Sequence, residues 1–97
     1  MLANVKKMSP YLFEKLNALK AKHPSIQEVR GVGLMAGVAL NRKGKEIVER
    51  CLEKGLLINC THETVLRLMP ALNVTKRQID TAVHILDKVF QEVRHAG

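Results

Sequence analysis

The sequence predicts an α+β fold, a small and mostly antiparallel four-stranded sheet with helices packed on it, in the order α-β-β-α-β-β-α. Three observations lead there. Apolar residues recur at helical spacing in three segments. Four short apolar runs of strand length stand between them. Glycines, prolines and polar clusters mark the boundaries. The 97 residues suggest one domain spanning 1–97. A chain of this size buries roughly two-thirds of its unfolded surface, enough for one modest core.

Val5, Met8, Leu12, Leu16 and Leu19 form a helical stripe and predict a helix over 3–22. Ser9-Pro10 interrupts it, so either a kink near Pro10 or two short helices follow. Lys22-His23-Pro24 ends the element, because the residue before a proline disfavours helical backbone. Strands are predicted over 26–31 and 34–40 around a turn at Gly31-Val32-Gly33. The second is apolar on both faces, which predicts a central place in the sheet. Residues 44–55 predict a short helix with Ile47, Val48, Cys51 and Leu52 inward and Gly55 just past its end. A third strand is predicted over 56–59, a loop over 61–64 and a fourth strand over 65–69, stopped by Pro70. Thr75-Lys76-Arg77-Gln78 reads as a capping box. It opens a last helix to about residue 94, with Ile79, Ala82, Val83, Leu86, Phe90 and Val93 inward.

The net charge is +7, with basic residues spread along the chain and acids mixed among them. That balance predicts a solvated basic surface rather than a nucleic-acid interface. No apolar run is long enough to span a membrane, and no secretory signal or transit sequence is recognisable. Cys51 and Cys60 form no metal or redox motif, so free thiols in a reducing compartment, and hence the cytoplasm, are expected. His23, His62, His84 and His95 lack ligand spacing among themselves and with the cysteines, so no metal is expected. Gly31, Gly33 and Gly37 have the wrong spacing for a dinucleotide loop and precede a strand, not a helix. A hairpin turn at Gly31/Gly33 and close backbone packing at Gly37 are expected instead.

Arg67 stands out in Val65-Leu66-Arg67-Leu68-Met69. In an extended run Leu66 and Leu68 point to one face, and Val65, Arg67 and Met69 to the other. A guanidinium among apolar neighbours either lays its stem over them and reaches water, or meets an anion. Its planar fork suits a carboxylate. His62, in the neighbouring loop, is either a plain polar residue or lies near a substrate, and Thr64 is the other candidate beside the site. No nucleophile elbow, phosphate loop or paired carboxylates appear, so no residue is assigned as catalytic.

Three segments in order, 23–40, 51–59 and 65–90, resemble the class III aminotransferases, and most of all their acetylornithine branch, with ornithine and succinylornithine enzymes as relatives. The resemblance runs from about residue 3 to 94. It implies the C-terminal small domain of a fold type I enzyme that uses pyridoxal phosphate to move an amino group from an amino acid to 2-oxoglutarate, in arginine biosynthesis. It implies that Arg67 grips the substrate α-carboxylate, and that the whole enzyme is a cytoplasmic homodimer. The family's coenzyme-bearing lysine, the aspartate facing the pyridine nitrogen and the phosphate loop belong to a large domain outside this segment. The chain alone is therefore expected to be inactive and to hold no coenzyme. For Arg30 an ion pair across the domain boundary is expected. Two alternatives stand beside this reading: a small basic nucleic-acid-binding module, and a stand-alone interaction domain derived from the enzyme's tail.

Overall fold

The computed structural model describes residues 2–96, with side chains through Arg94. Its elements are α1 (Leu2–Lys22), β1 (Ile26–Val32), β2 (Met35–Leu40), α2 (Lys45–Glu53), β3 (Asn59–Thr61), β4 (Val65–Leu68) and α3 (Lys76–Ala96). The order is the predicted one. All three strand pairs are antiparallel, and the sheet runs β1-β2-β4-β3, with β2 inside as its apolar run requires.

One stripe of α1, made by Met8, Leu12, Leu16 and Leu19, is buried. It holds the helix as one element through Pro10, so the two-helix alternative does not occur. The proline ring removes one N–H from the helical ladder, and burial of the stripe on either side offsets that loss. Strand β2 alternates, with Ala36, Val38 and Leu40 buried and the residues between them less so. In β4, Leu66 and Leu68 are buried and Arg67 is exposed. These inward strand residues join the stripes of the helices in one core, with Phe90, Leu86 and Val89 of α3 at its centre.

Several boundaries differ from expectation. The β1–β2 turn is Gly33-Leu34, because Val32 still pairs with Met35. Gly33 has φ +60° while Leu34 has no positive φ, the signature of a two-residue turn with glycine first. The close backbone approach falls at Gly31, not Gly37: a Cβ on Gly31 would stand 2.0 Å from the Met35 carbonyl oxygen. Strand β3 begins three residues later than predicted. Its preceding segment closes α2 instead, where the N–H groups of Leu56 and Gly55 donate to Cys51 O and Leu52 O. That pair of bonds is a Schellman closure, with Gly55 in the left-handed region. Leu52, expected inward, is 59% exposed, because Ile47 and Cys51 alone meet the core squarely. The capping box of α3 forms as read: Gln78 N–H donates to Thr75 Oγ1 at 3.2 Å, and Thr75 N–H donates to Gln78 Oε1 at 3.0 Å. The side chain of His95 lies outside the described residues.

Candidate functional site

The core side of the sheet is covered. Its other side carries Arg30 on β1, Gly37 on β2, Arg67 on β4 and Asn59 on β3. These four stand in one row across the strands, because Arg30 pairs with Gly37, Gly37 with Arg67, and Arg67 with Asn59. Directly paired residues share a face, so the row needs no assumption about side-chain rotamers. An open groove of about 290 Å³ lies on this face, lined among others by Arg30, Gly37, His62, Val65, Arg67 and Met69. Val32, Met35 and Met69 are exposed apolar residues along its rim.

Arg67 is positioned by alternation. Leu66 and Leu68 lock into the core on one side, which leaves the guanidinium on the other. Among the described residues it makes no ion pair. Arg30 does: its Nη1 lies 3.4 Å from Glu28 Oε2, a long contact between two side chains each more than half exposed. Such a contact exchanges easily with water or another anion.

His62 lines the groove with Arg67, and so does Thr61. Thr64 is not among the lining residues. Its hydroxyl donates to His62 O at 3.4 Å, and its own carbonyl accepts from Leu40 N–H at 2.8 Å. His62 and Glu63 have φ of +50° and +65°, which non-glycine residues seldom adopt. The Glu63 carbonyl accepts from Gly44 N–H at 2.8 Å, so two backbone bonds tie the turn to the start of α2 and the end of β2. His62 is thereby held at the edge of the groove.

Sequence reading missed a second polar cluster. His23 is buried at the end of α1, with Nε2 2.7 Å from Asp87 Oδ1 and its ring stacked on Phe90. Lys22 Nζ lies 3.0 Å from the other Asp87 oxygen, to which Gln91 also donates. Burial pushes the Asp87 carboxyl up, but the hydrogen bonds from His23 and Lys22 outweigh it and hold it below its ordinary value. An ionised carboxylate only accepts, so His23 Nε2 carries the hydrogen, and Nδ1 has no partner among the described residues. The cluster clamps α1 to α3 and lies outside the groove.

Burial pushes the Cys51 thiol up to about 11, and Cys60 is half-buried; both are free. Among the described residues no His, Cys, Asp and Glu group could hold a metal, and no helix is long and apolar enough to cross a membrane.

Comparisons with known proteins bear on the family and the fold. The family model described as Aminotransferase class-III matches residues 1–90. The acetylornithine aminotransferase of Methanocaldococcus jannaschii is 50% identical over 84 residues, covering 87% of this chain and 21% of the relative. That of Caldanaerobacter subterraneus is 46% identical over 94 residues, covering 96% of this chain and 24% of the relative. Among solved structures, the N-acetylornithine aminotransferase of Stenotrophomonas maltophilia superposes with a TM-score of 0.87 at 28% identity, over 98% of this chain and 27% of that one. An S-selective transaminase from an Arthrobacter species gives 0.88 at 26% identity, over 96% of this chain and 25% of that one. The chain thus spans about a quarter or less of the curated relatives it matches. With a family model across most of its length and acetylornithine aminotransferases at 46–50% identity, this chain belongs to the class III aminotransferases.

Proposed function

We propose that this chain is the C-terminal small domain of an acetylornithine-type aminotransferase and that Arg67 binds the substrate α-carboxylate. The amino group then passes from an acylated ornithine to 2-oxoglutarate, in arginine biosynthesis, in a cytoplasmic homodimer. His62, at the edge of the same groove, flanks the bound acid, while Thr64 braces the His62 turn from outside it. One observation carries the reading: Arg67 is presented on the open face of the sheet, in a groove, with no ion pair among the described residues.

Class III aminotransferases use pyridoxal phosphate, whose ring acts as an electron sink. The groove does not fit that group unaided, since no lysine is among its lining residues. The coenzyme belongs to a large domain that closes over this face, and the exposed rim of Val32, Met35 and Met69 is what that domain would cover. What these residues supply is orientation. The strand between two buried leucines fixes where the guanidinium starts from, and its fork aligns one carboxylate in two parallel hydrogen bonds. Charged hydrogen bonds of this kind contribute about 1.5–3 kcal/mol, or about 10–150-fold in kcat/KM.

The test grafts this segment into the Methanocaldococcus jannaschii enzyme in place of its counterpart. Arg67→Lys should lower kcat/KM for the amino acid by about that factor, with folding unchanged. Unaltered kcat/KM would remove Arg67 from the site. The 97-residue chain alone should neither transaminate nor retain pyridoxal phosphate after dialysis.

A further inference from the structure

Strand β1 ends the sheet on one side, and its outer edge meets no other strand among the described residues. The hairpin shows which residues face that edge. A two-residue turn at Gly33-Leu34 closes on a hydrogen-bonded pair, here Val32 with Met35, and bonded and unbonded pairs then alternate along the ladder. Arg30 and Glu28 therefore bond inward to β2, while Val29 and Gly31 turn their N–H and C=O groups outward. Strand β2 obeys the same count: Leu40 N–H, facing away from β1, donates to Thr64 O. Among the described residues, no backbone hydrogen bond from outside the sheet reaches Gln27, Val29 or Gly31.

An exposed edge is a template for another strand unless charge or a bulge blocks it. The irregularity in β1 lies at its start, between Ile26 and Glu28, and the pairing from Glu28 to Val32 is continuous. The charges are Glu28 and Arg30, opposite in sign and two residues apart, hence on one face. That pattern opposes most strands and fits a second β1. Two copies meeting antiparallel with Glu28 opposite Glu28, or Arg30 opposite Arg30, set like charges together. Centring the pair on Val29 instead places Glu28 of each copy opposite Arg30 of the other, twice by symmetry. Those contacts fall at unbonded positions of the new ladder, where side chains stand closest. Within one copy Arg30 Nη1 reaches Glu28 Oε2 only at 3.4 Å, with both side chains more than half exposed, so either group exchanges partner easily.

We infer that two copies of this chain associate edge to edge through β1, antiparallel and centred on Val29, with Glu28 and Arg30 as reciprocal ion pairs in one sheet continuous across both. The contact is confined to one edge of seven residues, short of what a permanent dimer needs, so it forms reversibly and at high concentration. It does not depend on the carboxylate-binding reading of Arg67.

The experiment is sedimentation equilibrium of the 97-residue chain at low ionic strength, alone and with charge-reversed variants. The unsubstituted chain should dimerise reversibly. Glu28→Arg and Arg30→Glu each set like charges opposite one another, and each should weaken self-association by about five-fold or more. Mixing the two variants should restore the parent's affinity in a heterodimer, because every opposed pair again has opposite signs. On association, amide exchange should slow at Val29 and Gly31. Far-UV circular dichroism reports that each variant is folded. An unsubstituted chain that stays monomeric at about 1 mM overturns the inference. So does a dimer that survives either charge reversal, as one held by the apolar rim of Val32, Met35 and Met69 would, or a pair of variants that fails to recover on mixing.

Discussion

Replacing Arg67 by glutamine asks whether that side chain serves the fold or a ligand. Arg67 is exposed and, among the described residues, makes no ion pair and no side-chain hydrogen bond, so its removal breaks no buried contact. Surface substitutions of that sort stay within about 0.5 kcal/mol. Leu66, one residue earlier, has 0% exposure and sits in the core. Leu66→Ala should cost about 2–5 kcal/mol, from lost transfer energy and the cavity left behind. For a chain of this size each kcal/mol moves Tm by about 4–8 °C. Thermal unfolding followed by far-UV circular dichroism should therefore place Arg67→Gln within about 4 °C of the parent and Leu66→Ala at least about 8 °C lower. If the arginine variant fell as far as the leucine variant, Arg67 would be a structural residue and the groove would lose its anchor.

Three other outcomes follow from the packing. Gly31→Ala forces a Cβ toward the Met35 carbonyl at a φ of +147°; it should destabilise by about 1–3 kcal/mol or more from backbone strain, and an unchanged urea midpoint would refute the close approach. Asp87 is held below its ordinary value in the folded chain, so the unfolded state takes up its proton first. Stability from this group is present above about pH 3.9 and is lost as pH falls through the lower folded value; urea titrations across that window should show Asp87→Asn to be less stable at neutral pH and less acid-sensitive. Cys51, buried with its thiol pushed up to about 11, should resist a disulfide reagent that labels Cys60 on the native protein, giving one reactive thiol before unfolding and two after.

Local features were the ones the sequence carried well. The capping box at Thr75 and Gln78, the glycine after α2 and the stripe of α1 each depend on neighbours within a turn or two, and all three formed. So did the outward direction of Arg67, which period-two alternation dictates. What escaped depends on pairing between distant segments. A turn centred on Val32 would set Arg30 opposite Leu34; the real turn at Gly33-Leu34 sets it opposite Gly37 and into line with Arg67. A small displacement of the turn, which moves the partner of Arg30 by three residues, thus hid the second arginine of the groove. His23 and Asp87 are 64 residues apart in sequence, and nothing local to either announces the other. Strand β3 was set too early because its apolar run, Leu56 to Ile58, looked extended while its first residues were closing α2.

The alternation in β4 has one more effect. Sliding that strand by a single residue against β2 would turn Leu66 and Leu68 to solvent and drive the Arg67 guanidinium into the core, where an uncompensated charge is intolerable. The cation on the open face therefore also vetoes mispairing. A neutral, greasy residue in its place would remove that barrier, so the charge also guards the alignment of the sheet.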